Sequence, residues 1–233
     1  MTFHPAIEFY QRYGEPSPKT EELAKLFVQK ANGAYGSAEY VELLRSIDER
    51  QKTLASFGGT FQAELKARLV IGMSQGRLWG NGFQFHPVYG IPYLPASGIK
   101  GALRHFLAEE GQTQQNAKIW FGDEEQRGSV TLFDAFPSPG PKKRLLAEEI
   151  LNKHHADYYE KEAARMKPPA DYNEPMPVKF VAVAAGVKFR FVYGAPAGML
   201  EDLKGSLVRC LDLAGMGAKT RKGYGRMVPS PAQ

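Results

Sequence analysis

The segment TFQAELKARLVI, residues 60–71, alternates apolar and polar side chains, and the fold class follows from it. Its apolar members occupy every second position from Phe61 to Ile71. Successive side chains of a strand point to opposite faces, so this pattern predicts a strand with one buried face. Gly58 and Gly59 separate the strand from preceding residues whose apolar side chains recur with a helical period.

The residues on either side of this strand predict a mixed order of helices and strands. Residues 1–58 form a helical N-terminal extension, because their apolar side chains recur every three or four positions. Residues 59–233 form one α+β domain of order βαββαβ, which is the ferredoxin-like or RRM-like plan. The predicted core elements are a strand at 61–71, a helix at 97–110, strands at 129–136 and 187–193, a helix at 199–213 and a strand at 224–228.

A segment rich in proline and charge, residues 137–177, is interpreted as an insertion into this plan. We expect one helix inside it, at residues 145–151. The following residues, 178–184, predict an additional strand that forms a hairpin with the strand at 187–193, through a turn at Ala185 and Gly186.

Composition narrows the class of protein. The chain has 233 residues, of which 43% are hydrophobic, so a sizeable core is expected. No apolar run approaches the roughly 20 residues of a membrane span, and the first residues do not resemble a secretory signal. The single cysteine, Cys210, lies among apolar residues and is expected to be buried and unpaired. These features predict a cytoplasmic protein, and the net charge of +5 is compatible with a nucleic-acid partner.

A basic, glycine-rich loop is predicted at residues 215–226, GMGAKTRKGYGR. Glycine allows positive φ and a close backbone approach to a ligand, and cations beside an aromatic ring suit the phosphates and bases of RNA. A nucleotide-binding P-loop is excluded, since Ala218 stands where that motif needs glycine before the lysine. The candidate RNA contacts here are Gly217, Lys219, Thr220, Arg221, Lys222, Gly223, Tyr224, Gly225 and Arg226.

A second candidate site lies at the start of the predicted helix 97–110. We expect Ser97 to cap this helix, so that its first N–H groups, together with Gly98, bind an anion. Lys100 and Arg104 are four residues apart and so share one face of the helix, where they are candidates to bind phosphates.

Two motifs carry a resemblance to a known family. The segment IPYLPASGIKGALR, residues 91–104, resembles the Ile-Pro-Gly-Ser-Ser-Leu-Lys-Gly-x-x-Arg signature of the RAMP superfamily of CRISPR proteins. The loop at residues 215–225 resembles the glycine-rich loop of the same superfamily. Ala96 and Gly98 depart from the signature, which leaves open how many hydroxyl groups contact the anion. Three further phrases are similar to the sixth-subunit family of Cmr-type (type III-B) effector complexes, namely FHPVYG at 85–90, PMPVKF at 175–180, and His154 and His155 before DYY.

This resemblance implies a non-catalytic, RRM-like structural subunit of an RNA-guided antiviral complex. It implies binding of CRISPR guide RNA toward the 3′ part, a contribution to target RNA recognition, and packing against other Cmr-type subunits, both RAMP backbone and small helical ones. Target cleavage is expected in a neighbouring subunit, with no cofactor, metal or membrane required by this chain. The alternative is an endoribonuclease that processes precursor RNA, with His154, His155 and His86 as its candidate acid and base and Tyr159 as a helper. Asp123 and Asp134 are interpreted as a turn residue and a strand-end residue.

Overall fold

The computed structural model describes residues 4–12, 20–73, 82–140, 144–153 and 176–230. Its helices are α1 Pro5–Arg12, α2 Thr20–Tyr35, α3 Ala38–Leu54, α4 Ala96–Glu109, α5 Gln114–Phe121 and α6 Leu200–Arg209. Its strands are β1 Gly59–Leu65, β2 Thr131–Leu132, β3 Phe136–Pro137, β4 Leu146–Lys153, β5 Met176–Val183, β6 Lys188–Gly194 and β7 Met227–Pro229. A mixed α/β fold is therefore confirmed.

Strand β1 lies inside a five-stranded antiparallel sheet. The main strand order is β2-β6-β1-β7, and β3 also pairs with β6. Ala63 and Leu65 of β1 are buried, as the alternating pattern predicts, and they belong to one core with the helices. The single strand predicted at 129–136 is interrupted at Phe133 and Asp134, so β2 and β3 contact β6 as two short pieces.

The predicted strand, residues 61–71, extends beyond the end of β1, and its remaining residues have a different structure. Residues 66–70 do not form a strand, yet their backbone groups make hydrogen bonds to segments on both sides. The N–H of Leu69 donates to Val183 O of β5 at 3.1 Å, and Val70 O accepts from the N–H of Ala218 at 2.8 Å. This segment therefore joins the central sheet, the second sheet and the glycine-rich loop.

The helix predicted at 145–151 is wrong, because these residues form β4. Strands β4 and β5 make a separate two-stranded antiparallel sheet whose pairs run from Leu146↔Val183 to Lys153↔Met176. The hairpin predicted between residues 178–184 and 187–193 is therefore wrong, because β5 pairs with β4 and β6 belongs to the central sheet. The side chain of Asn32 on α2 accepts the backbone N–H groups of Leu145 and Leu146 at 3.0 Å each. Pairing with distant residues thus overrides the local helical preference.

The helices cover the central sheet and extend the core. Helix α3 is capped by Ser37, whose Oγ accepts the N–H of Tyr40 at 3.4 Å. Helix α6 continues into a π-helical turn, Cys210–Ala214, which leads into the glycine-rich loop. Cys210 is buried as predicted, and burial raises the pKa of its thiol to about 12. Among the described helices, none is long and apolar enough to cross a membrane.

Candidate nucleic-acid interface

The glycine-rich loop, residues 215–226, has a defined backbone shape. Lys219, at φ 60°, is the one residue other than glycine with positive φ in the described ranges. It precedes a short 3-10 turn, Thr220–Lys222. Positive φ values of 72° to 88° occur at Gly215, Gly217, Gly223 and Gly225.

One of these glycines, Gly217, allows the loop to lie directly against Val70, and another, Gly225, allows the two ends of the loop to approach each other. A Cβ added at Gly217 would meet the carbonyl oxygen of Val70, and one added at Gly225 would meet that of Met216. The N–H of Gly225 donates to Arg68 O at 2.9 Å. The loop is therefore held against residues 66–70 by main-chain bonds, and a side chain at Gly217 would prevent this close approach.

The cations of the loop differ in their exposure and in their hydrogen bonds. Arg221 and Lys222 are exposed and Lys219 is half-buried, and no ion pair engages these three within the described parts of the chain. Arg226 is also exposed, but its Nε donates to Asp212 O at 2.7 Å, at the carboxyl end of the π-helical turn. Three cations are thus available to an anionic ligand, while Arg226 also stabilises a helix end.

Tyr224 is already in contact with the second sheet. Its ring packs against Val70, Phe180 and Ala182. Burial is the main cause that raises the pKa of Tyr224. The negative charge of Glu149, and its hydrogen bond with the phenol, raise this pKa further. Glu149 in turn pairs with Arg68 at 2.8 Å. Only the solvent-facing part of this half-buried ring remains for stacking on a base.

The start of helix α4 differs from the prediction. The residue at the N-cap is Pro95, in an extended conformation, and the helix begins at Ala96, so the prediction that Ser97 caps it is wrong. The cap is supplied from a distance, since the N–H of Ala96 donates to Asp134 Oδ1 at 2.7 Å. Ser97 and Gly98 are exposed there. An external anion at this helix start has to compete with the carboxylate of Asp134.

Lys100 and Arg104 have different surroundings. The Nζ of half-buried Lys100 donates to Phe121 O at 2.6 Å, so this ammonium group caps the last turn of α5. Arg104 is exposed, and no ion pair or hydrogen bond engages it within the described ranges. Of the two, Arg104 is therefore the free cation.

The two predicted motifs are not joined by any hydrogen bond or ion pair between described residues. An ion pair of Glu110, the residue after α4, with Arg209 at 3.0 Å connects this end of α4 to α6, the helix before the loop. Glu110 lies at the opposite end of α4 from Ser97. The helix start and the glycine-rich loop are therefore two candidate sites without a direct polar contact between their described residues.

The predicted histidines fall partly outside the described residues. His154 and His155 lie there, as does Tyr159. His86 is half-buried in its loop, where its ring stacks on Tyr89 at 4.3 Å and its Nδ1 accepts the N–H groups of Val88 and Tyr89 at 3.3 Å each. Burial lowers the pKa of His86. These contacts use one ring nitrogen to hold the loop.

Asp123 is a turn residue, as predicted. Its Oδ1 accepts the N–H groups of Glu125 and Gln126. The hydrogen bond with Lys118 is the largest of the interactions that lower the pKa of Asp123. Within the described residues no group of three potential ligands could hold a metal ion.

Sequence reasoning missed the two acids that hold the site together. Asp134 caps α4, and Glu149 links Arg68 to Tyr224. The role of Glu149 was missed because residues 145–151 were predicted to form a helix. For Asp134 the only signal was an acidic residue at the end of a predicted strand, 38 residues from its partner.

The sequence model of the RAMP superfamily matches residues 62–228, well over half of the chain. The chain therefore belongs to the RAMP superfamily, as the two motifs predicted. It is similar to the CRISPR system Cmr subunit Cmr6 of Pyrococcus furiosus, at 28% identity over 269 residues that cover 90% of this chain and 74% of that protein. It is also similar to the Cmr6 subunit of Saccharolobus solfataricus, at 33% identity over 168 residues that cover 70% of this chain and 55% of that protein. The predicted resemblance to the sixth Cmr subunit is confirmed, although the chain spans about half the length of the second relative.

Solved structures support the fold. A chain in a cryo-EM structure of the Type III-B Cmr-beta bound to cognate target RNA matches with a TM-score of 0.68 and 24% identity, over 98% of this chain and 81% of that chain. The crystal structure of Cmr6 from Pyrococcus furiosus matches with a TM-score of 0.50 and 24% identity, over 73% of this chain and 96% of that chain.

Proposed function

We propose that this chain is a non-catalytic, RNA-binding structural subunit of a Cmr-type (type III-B) CRISPR complex. In it, the chain binds guide RNA toward the 3′ part and contributes to target recognition, alongside other RAMP and small helical subunits. The observation that carries the proposal is the glycine-rich loop, where Lys219, Arg221 and Lys222 have no ion pair among the described residues and the backbone beneath them is fixed. The similarity to Cmr6 subunits supports the assembly.

The loop chemistry suits a phosphate backbone. The bonds of Ala218 and Gly225 to residues 66–70 hold the loop in place before any ligand arrives, which lowers the entropy lost on binding. Exposed Arg221 and Lys222 follow each other on a 3-10 turn, so they present two cations over a short distance. Phosphate contacts of this kind fix position without reading sequence, as a guide-binding subunit requires.

We also infer that the central sheet is the core of a ferredoxin-like domain. The strand order β2-β6-β1-β7 supports it, since in a βαββαβ chain the fourth strand lies beside the first and the third lies between the first and the second. In this plan β1, β2, β6 and β7 are the four core strands, and α4 and α6 are the two crossover helices.

The test is binding of guide-like RNA by the purified protein across a salt series. The variant Lys219→Ala with Arg221→Ala should bind more weakly, because two phosphates are no longer neutralised. The slope of log affinity against log salt should therefore fall by about 1.4, at about 0.7 for each phosphate of a single strand. A control of equal charge change is Arg45→Ala with Arg127→Ala, two exposed arginines outside the loop, which should leave the slope unchanged.

Affinity and slope that stay the same in the loop variant would sink the assignment of this loop. The RNA should also remain intact during the assay. Cleavage that is lost in His154→Ala with His155→Ala would instead support the endoribonuclease alternative. Co-purification of short RNA with a uniform 5′ sequence would identify the ligand as guide RNA.

A further inference from the structure

Among the described residues, strand β1 has a short open edge. On one side it pairs with β6 from Gly59 to Glu64, but on the other side β7 pairs only with its last three residues. The last bond of that second ladder runs from the N–H of Ser230 to Gln62 O at 2.8 Å. Alternate residues of a strand direct their backbone groups to opposite edges, so the N–H and C=O of Thr60 point the same way as those of Gln62. Within the described residues, no backbone group pairs with Thr60 on this side.

A cavity of about 610 Å³ lies along this open edge. It is lined by residues 60–62 of β1, by Pro229 and Ser230 at the end of β7, and by Lys204 and Val208 of α6. The hydroxyl oxygen of Ser230 is buried and has no hydrogen-bond partner among the described residues. A buried polar atom without a partner is uncommon in folded proteins, and Ser230 is one of the residues that line this cavity.

The cavity is positively charged. Lys52, Arg190 and Lys204 line it, with Asp48 as the single carboxylate. Asp48 is already paired, because it accepts the Nε of Arg190 at 2.6 Å and lies 3.2 Å from the Nζ of Lys52. Lys204 makes no ion pair in the described part of the chain. An incoming acidic group would therefore find an uncompensated ammonium group beside the strand edge.

We propose that this edge accepts an extended, acidic peptide segment of a protein partner, which adds to the sheet beside Thr60. Main-chain bonds to Thr60 would provide binding, and an acidic side chain near Lys204 would provide selectivity, since Lys52 already pairs with Asp48 and with Glu49. A peptide fits better than a nucleic acid, because the open edge presents a strand's own donor and acceptor. An exposed edge of this kind is one that proteins usually keep covered.

The test uses a fluorescent peptide of about ten residues that alternates Glu and Val and has blocked ends, long enough to add one strand. Fluorescence anisotropy should show saturable binding to the full protein. Lys204→Glu should weaken it by at least about tenfold, while Arg127→Glu, the same kind of charge reversal at an exposed site away from the cavity, should leave it unchanged. In the saturated complex, hydrogen exchange of the Thr60 amide should slow by about tenfold or more.

Four outcomes would overturn the proposal. If the same peptide with Lys in place of Glu binds equally well, the charge of the peptide does not contribute to selectivity. If the Lys204→Glu variant binds the acidic peptide as tightly as the unchanged protein, Lys204 does not contribute either. Protection of Thr60 by a short RNA assigns the edge to nucleic acid. Slow exchange of Thr60 in the free protein, lost when residues 231–233 are deleted, shows that the chain's own C-terminus occupies the edge.

Discussion

The carboxylate of Asp134 lies 2.7 Å from the backbone nitrogen of Ala96 and accepts its hydrogen bond at the first residue of helix α4. Asp134 stands between β2 and β3, and its own carbonyl oxygen accepts the side-chain amide of Gln51 at 2.8 Å. One residue thus ties the start of α4 to the sheet and to α3. A negative charge at a helix N-terminus is favourable, so this bond both caps and orients the helix.

Replacing Asp134 should therefore weaken the fold more than replacing the neighbouring serine. Asp134→Ala should lower the free energy of unfolding by about 1 kcal/mol, as expected for the loss of a cap. Ser97→Ala should change it by less than about 0.5 kcal/mol, since this exposed hydroxyl is not the cap. Urea unfolding of both variants measures the difference, and the reverse order would show that Ser97 caps α4 in solution.

The glycines of the loop should differ in their tolerance of alanine. Gly223 has positive φ and open space around it, so Gly223→Ala should cost about 1–2 kcal/mol of unfolding free energy for the left-handed backbone alone. Gly225→Ala adds a collision with the carbonyl oxygen of Met216 and should cost clearly more than that. Thermal unfolding checks the ranking. Equal melting temperatures for the two variants would contradict the close packing at Gly225.

Replacing Lys100 should mainly affect stability, whereas replacing Arg104 should mainly affect RNA binding. Lys100→Met removes a charged donor from Phe121 O and should lower the unfolding free energy by about 1.5 kcal/mol. Arg104→Met should leave stability within about 0.5 kcal/mol, because the guanidinium is exposed. If Arg104 contacts RNA, its removal should flatten the salt dependence of binding by about 0.7. A stable Lys100→Met variant would show that the lysine is free.

The buried thiol of Cys210 should contribute to alkaline sensitivity. Its pKa is about 12 in the folded protein, against the ordinary value of 9.0. Above pH 9.0 the unfolded chain binds fewer protons than the folded one, so this part of the stability is present below pH 9.0 and is lost as the pH rises toward 12. Urea unfolding at about pH 8 and about pH 10 should show the loss, and Cys210→Ala should reduce it. In native protein at about pH 8, the thiol should also resist thiol-reactive reagents until the chain unfolds.

The sequence predicts those parts of the molecule whose cause is local. Alternation at residues 60–71 predicts β1, because burial of one face requires it, and the glycines of the loop indicate positive φ. The strand β4 could not be predicted in this way, since Leu146 and its neighbours pair with β5 and with Asn32, which lie far away in sequence. The same holds for the site. The cations were visible as a motif, whereas their availability depends on Phe121 O and Asp212 O, which only the fold brings near.

Lys219 shows how the loop balances shape against charge. Its φ of 60° lies in a region that glycine adopts without cost and that costs other residues roughly 1–2 kcal/mol. Lys219→Gly would therefore relieve backbone strain while it removes the ammonium group, so stability and RNA affinity should change in opposite directions. A selection for thermal tolerance alone would favour glycine at this position, and a selection for the bound complex would retain lysine.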